Sequence, residues 1–406
     1  MAKLAKTIYI QLYIWYTYSF KELLNVSGDP TFVNFTRAAL VINLGRIADN
    51  IRVIRSLTNP DAMVMAVVKD DGYGHGILEV SKAALDAGAD WLGVATVKEG
   101  QALRDHGIGE PILVLGPVFE EEFEDLLRFG LTSTMFDFES CEKLSQTAQR
   151  LEKRAAVHIK IDTGMNRIGY SYMDTDTIIR EVTAISQLPN IEIGGIYSHF
   201  ASSDSDASFT REQFSRFTNV LQVLEDAGQS IPIKHISNSG GVINHPECNL
   251  DMVRCGILIY GLAPCSTLEG AANIELLGIK PALTLKSRIS QVRTVKMGES
   301  VGYGRSYVAK QDIVVATVPI GYAHGISRKH SNNGKALING QICGIIGTVC
   351  MDQLMIDATG SGAKLRDEVV FIGQHGVSAE DVAALQGTNN YEVVTALSLR
   401  IPVYYI

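Results

Sequence analysis

Ala66-Val67-Val68-Lys69-Asp70-Asp71-Gly72-Tyr73-Gly74-His75-Gly76 is the stretch on which the fold turns: an apolar run stops at a lysine and gives way to a glycine-rich loop. Ala62 to Val68 reads as a buried strand, which puts Lys69 at its carboxyl end, where open and barrel α/β proteins place their ligands. A lysine there is a candidate nucleophile. Burial in a partly apolar pocket disfavours the ammonium and yields the neutral amine that a Schiff base requires. The glycines and Tyr73 are then placed to contact a phosphate.

On either side of this stretch the chain alternates apolar runs with amphipathic helices. Ala38–Ile42 reads as a strand, followed by a helix with Leu44, Ile47, Ile51 and Ile54 on one stripe. Further strand candidates fall at Met63–Val68, Trp91–Ala95, Ile112–Gly116, Thr132–Phe136, Ala156–Ile161, Ile193–His199, Ile233–Ile236 and Met252–Ile257. After His199 a helix is expected with Thr210 and Gln213 as a capping box, Phe214, Phe217, Leu221 and Leu224 as its apolar stripe, and Gly228 as its stop. Nine candidates are one more than a closed (β/α)8 barrel needs, so the first is expected to belong elsewhere. A Rossmann-type sheet is the alternative, but no Gly-x-Gly-x-x-Gly opens a helix after the first strand.

After Pro281 the pattern changes. Leu283–Lys286 and Arg288–Ser290 alternate as strands do, and Asn339-Gly340 between two apolar triplets signals a hairpin. The expected architecture is α/β: a (β/α)8 TIM-type barrel over 37–275, then a mostly β C-terminal domain over 276–406. Residues 1–36 form an N-terminal extension whose run from Ile8 to Phe20 superficially resembles a signal peptide. It lacks a small-residue cleavage site and is too short to span a bilayer, so a docked or edge strand or a partly disordered extension is expected.

The 406 residues are 46% hydrophobic and 20% charged, with a formal net charge of −8. That balance describes an ordinary soluble globular protein and excludes a nucleic-acid surface, which needs clustered lysine and arginine. The six cysteines show no Cys-x-x-Cys pairing and no zinc-like spacing with histidine, which points to a reducing cytoplasm and gives metal catalysis no support.

The lysine stretch resembles the pyridoxal-phosphate attachment motif of bacterial alanine racemases, with Asp70 and Gly72 standing where that family usually has alanines. Strand alternation is expected to turn Asp70 away from the pocket that receives Lys69. The resemblance continues in order over about 37–406. Lys160-Ile161-Asp162-Thr163-Gly164-Met165-Asn166-Arg167 matches the segment whose arginine pairs with the substrate carboxylate, a role suited to the planar guanidinium fork of Arg167. Lys160 stands at the family position that is often carbamylated. Ser198-His199 matches a histidine near the coenzyme ring, and Ser239, Gly256 and Ile257 fall in segments that resemble the phosphate site. Arg254 matches the arginine beside the pyridine nitrogen, a group that does not readily donate a proton and so leaves the ring a weaker electron sink.

Tyr303 lies in a match to the catalytic-tyrosine segment, Met351 matches a backbone contact to the substrate carboxylate, and Tyr391 matches a tyrosine that approaches the phosphate. His324 stands where the entryway segment usually carries aspartate. The resemblance thus implies a pyridoxal-phosphate racemase of a small amino acid. Lys69 and Tyr303 would be its two bases, on the D and L faces respectively, and an obligate homodimer would share its active sites, with no nucleic-acid or membrane partner. Interconversion of L- and D-alanine, feeding peptidoglycan synthesis, is the leading expectation. A serine or broad-specificity racemase shares the same motifs. Basic amino-acid decarboxylases fit the segment around Tyr303 less well, and a non-catalytic pyridoxal-phosphate carrier would resemble the barrel alone.

Overall fold

A computed structural model describes residues 34–373 and 376–406, so most of the N-terminal extension, including Ile8 to Phe20, lies outside the described residues. Eight parallel strands form the barrel, in the spatial order Met252–Cys255, Met63–Val67, Trp91–Val94, Ile112–Val114, Thr132–Met135, Ala155–Asp162, Ile191–Tyr197 and Ile233–His235. The ring closes between the last and first of these through the Asp251 N–H to the Lys234 carbonyl and the Arg254 N–H to the Ser237 carbonyl, each 3.0 Å. Strand alternation then sorts the side chains. Met65, Leu113, Tyr197 and Met252 fill the lumen, while Val64, Ala66 and Leu92 pack outward in the main core.

The ninth strand candidate has a different home. Ala38–Ile42 lies in the C-terminal sheet, antiparallel to Leu283–Arg288 and parallel to Val403–Tyr405. All five of its residues are buried, and they make the first strand of the 37–275 segment a member of the other unit. The helix after it, Leu44–Leu57, starts at Asn43, whose side chain accepts from the Arg46 N–H. Its Ile47, Ile51 and Ile54 are fully buried, each contributing roughly 1.5–3 kcal/mol.

The helix after His199 starts upstream of its expected cap. It spans Ala207–Asp226, and the Asp206 carboxylate caps it by accepting from the Phe209 N–H at 2.9 Å. Thr210 and Gln213 form no capping box, because both lie in its interior and are fully buried. Thr210 donates to the Asp206 carbonyl, and Gln213 accepts from the Ala201 N–H while donating to Thr163 Oγ1 and the His199 carbonyl. Gln213 therefore braces the strand end that carries His199.

The second unit is a nine-stranded mixed sheet. Leu283–Arg288 alternates buried and half-buried residues, and Lys335–Ile338 pairs with Gln341–Ile346 through Asn339 and Gly340, both at positive φ as a type I′ turn requires. The helix Asn390–Thr395 returns to the barrel mouth, pinned there by Asn390 Nδ2 to the Ala263 carbonyl at 2.9 Å. No helix among the described residues is long and apolar enough to cross a membrane.

Candidate active site

The carboxyl ends of the barrel strands surround a cavity of about 610 Å³. Lys69, Tyr73, Arg167, His199, Ser239, Arg254, Gly256, Ile257 and Tyr391 all line it, with Asp70 and Lys160. Tyr303 and Met351 do not. They stand on turns of the C-terminal domain, 75% and 53% exposed.

The loop after Lys69 is strained. Asp70, Asp71, Gly72 and Tyr73 adopt successive left-handed conformations, φ 52–60° and ψ 39–51°, at a cost of roughly 1–2 kcal/mol for each non-glycine residue. Hydrogen bonds hold the turn: Gly72 N–H to the Val68 carbonyl, Gly76 N–H to the Asp71 carbonyl, and Asp70 N–H to Glu99 Oε1 at 2.7 Å. The turn swings the Tyr73 ring inward, 4.9 Å from Tyr260 and 6.2 Å from Tyr391 between centroids. It also overturns the expectation for Asp70. Strand alternation ends with the strand, so Asp70 faces the cavity and its Oδ2 lies 3.3 Å from Lys69 Nζ.

Arg254 is buried and held on all sides. Nη1 donates to His235 Nδ1 at 2.9 Å, and Nη2 to the Ser198 carbonyl at 2.7 Å, the Ile236 carbonyl and His199 Nδ1. Because arginine only donates, His235 and His199 both accept at Nδ1 and carry their protons on Nε2. His235 Nε2 then donates to His158 Nδ1 at 3.0 Å, leaving His158 Nε2–H buried without a partner. Burial, reinforced by the Arg254 charge, pushes His199 and His235 well below the usual imidazole range and His158 down to about 3. The three rings stay neutral at pH 7. Burial lowers Arg254 itself to about 10, which leaves it cationic.

Lys160 points into the same wall, its Nζ 4.9 Å from the Tyr197 ring and donating to the Ile161 carbonyl. Burial, and then the Arg254 charge, lower it to about 7. Arg167 projects from a turn organised by Asp162, which accepts from the Gly164 and Arg167 N–H groups. Burial tends to raise the Asp162 carboxyl, but these donors outweigh it and hold it below the usual range.

At the opposite wall Ser239 Oγ accepts from the Gly256 and Leu258 N–H groups, so its own hydrogen is directed elsewhere. A Cβ at Gly256 would lie 2.5 Å from the Tyr73 hydroxyl, so the close approach there requires glycine. Burial raises both Tyr73 and Tyr391 above the usual phenol range, keeping them protonated donors.

His158 and His235 were not singled out from the sequence, although a signal was there. On a barrel strand, residues two apart face the same way, so His158 shares the lumen face with Lys160. His235 meets it from two strands over, across the intervening strand Ile191–Tyr197.

A strand-end lysine, a wall of hydroxyl and backbone donors, and a fixed arginine at the mouth of a (β/α)8 barrel define an enzyme built for an anionic, amine-reactive ligand. The chain matches the family model of the alanine racemase N-terminal domain over residues 42–264 and that of the C-terminal domain over 282–405. It is 41% identical over 367 residues to the alanine racemase of Desulforamulus reducens, covering 90% of this chain and 98% of that one. The alanine racemase of Methanococcus maripaludis is 42% identical over 370 residues, with 90% and 97% covered. Among solved structures, the alanine racemase of Clostridium difficile 630 superposes with a TM-score of 0.86 at 35% identity, over 92% of this chain and 97% of that one. That of Bartonella henselae, described with covalently bound pyridoxal phosphate, gives 0.81 at 27% identity, over 92% and 100%. The chain belongs to the alanine racemase family and is an isomerase.

Proposed function

We propose that the protein interconverts L- and D-alanine with pyridoxal phosphate held covalently at Lys69, by a two-base mechanism, and so supplies D-alanine for peptidoglycan. The observation that carries this reading is the division of the candidate residues. Lys69, Arg167, Arg254 and the hydroxyl donors converge on one cavity, whereas Tyr303 and Met351 stand exposed on turns of the C-terminal domain.

The donor set fits the coenzyme. Tyr73, Tyr391 and Ser239 supply hydrogen bonds to a phosphate, and Gly256 leaves the space it needs. Bound there, pyridoxal phosphate supplies an electron-withdrawing ring that acidifies the α-hydrogen of an attached amino acid. Arg254, still a cation at neutral pH, would stand beside the ring nitrogen and keep its own proton. Arg167 holds the substrate carboxylate with its guanidinium fork. Lys160, with a depressed pKa, offers the amine that carbamylation requires, and the resulting anion would hold Arg167. Lys69 Nζ takes or returns the proton on the D face, and Tyr303 Oη does so on the L face.

For Tyr303 to reach that face, it comes from a second copy of the chain, which makes the active unit a homodimer. A small amino acid is the substrate, and the test is α-proton exchange in D₂O with chiral analysis of alanine, serine, lysine and arginine. Loss of enantiomeric excess fastest on alanine is the expected result. Faster turnover of serine or a basic amino acid would move the assignment to a broader racemase and direct attention to His324 and Asp70. Bound coenzyme without any exchange would leave only a carrier.

A further inference from the structure

Tyr303 is 75% exposed, so the described residues of the chain leave most of its ring unpacked. Its backbone is held instead. Tyr303–Arg305 is a single 3-10 turn entered through Gly302 at φ 76°. Thr348 Oγ1 donates to the Tyr303 carbonyl at 3.0 Å. A hydroxyl has one hydrogen, so the 2.9 Å contact between Ser306 and Thr348 has Ser306 Oγ as donor. Asn332 completes the clamp by donating to the Ser306 carbonyl at 3.1 Å and accepting from the Gly347 N–H at 2.6 Å. The backbones are close as well, for a Cβ at Gly302 would lie 3.0 Å from the Thr348 nitrogen.

The segment that grips Tyr303 runs straight on to Met351. Cys350 Sγ donates to the Thr348 carbonyl, and the Cys350 and Met351 carbonyls accept from the Tyr322 and Ala323 N–H groups. Residues 347–351 therefore tie the tyrosine turn and the Met351 backbone to one support. We propose that Thr348, braced by Ser306 and Asn332, is a positioning residue that sets Tyr303 against the substrate face it serves. The inference rests on the reading of Tyr303 as the second base.

Positioning has a signature that general damage lacks. If Thr348 acts through Tyr303, its loss slows only the proton transfer on the L face. That transfer then limits the rate more, and transfer at Lys69 limits it less.

The experiment uses holoenzyme carrying Thr348→Val, Thr348→Ser, Ser306→Ala or Tyr303→Phe. It reads kcat, KM, the coenzyme absorbance and the isotope effects on kcat/KM with α-deuterated L- and D-alanine. Thr348→Val is expected to lower kcat roughly ten- to hundredfold. The isotope effect from L-alanine should rise and that from D-alanine fall, with unchanged coenzyme absorbance. Thr348→Ser should restore both effects, and Ser306→Ala should shift them in the same directions by less. Wild-type kinetics in Thr348→Val would overturn the proposal, as would a loss of rate with both isotope effects unchanged. Should Thr348→Val fail to fold, Ser306→Ala decides alone, and a wild-type isotope pattern there overturns it too. Substantial racemisation by Tyr303→Phe would instead overturn the reading of Tyr303 as a base, a separate failure.

Discussion

The barrel mouth and the Tyr303 turn of the C-terminal domain are finished to different degrees. At the mouth the groups that fix Arg254 are supplied from within: it has four partners, and His235 and His158 continue the chain of hydrogen bonds into the lumen. In the C-terminal domain, the backbone around Tyr303 is fixed by a clamp of side chains while its phenol stands largely exposed. One half is a completed socket. The other is a mounted tool with its working end left outside, and that contrast is what makes a second copy of the chain necessary to the proposed chemistry.

The contrast breaks most sharply at the two proposed bases. Lys69→Ala should lower alanine racemisation on the order of 10⁴-fold and abolish covalent coenzyme attachment, and Tyr303→Phe should lower it on the order of 10²- to 10⁴-fold while attachment survives. Co-expressing the two variants then separates shared from single-chain sites. With shared sites each mixed dimer regains one intact site, and about one quarter of wild-type activity returns. Absence of recovery in verified mixed dimers would make each site the property of one chain.

Arg254→Ala tests the finished half. It strands His235 Nδ1 and two buried carbonyls, and a stability loss of about 3–5 kcal/mol is expected, measured by urea titration of the holoenzyme. His158→Gln should act through pH. Its imidazole takes a proton near 6.5 when unfolded but only near 3 in the fold, so the unfolded chain binds the extra proton between those values. The wild type therefore loses stability as pH falls from 6.5 toward 3, and the glutamine variant should show a shallower fall in Tm over that window, with little difference at pH 8. The smallest effect belongs to Asp70→Ala. The pair with Lys69 is substantially exposed and worth at most about 1 kcal/mol, so Tm should barely move. A change in substrate preference without a change in Tm would mark Asp70 as a wall of the substrate site.

Periodicity made the barrel legible, because most of its strands are short apolar runs ending in a turn, although Thr132–Met135 and Ile233–His235 are mostly polar. It also exposed a surplus strand, though not its destination, since pairing across the length of the chain leaves no local trace. The motif residues around the cavity were legible as segments. Asp70 was misjudged because strand parity was carried one residue past the strand, into a left-handed turn that nothing in Lys-Asp-Asp-Gly announces. Thr210 and Gln213 have the spacing of a capping box, but i and i+3 also share one face of a helix, and here that face is buried. His158 and His235 lie 77 residues apart, and the lumen that joins them exists only once the ring is closed.

The strand Ala38–Ile42 carries a consequence for the order of events on the ribosome. It is translated ahead of the entire barrel, yet one neighbour, Leu283–Arg288, follows the barrel and the other, Val403–Tyr405, comes later still. Throughout synthesis of the eight barrel strands this apolar segment has no sheet to join. All eight barrel strands leave the ribosome before Ala38–Ile42 can meet either of its sheet neighbours. Among the described strands, the latest in sequence pairs beside the earliest.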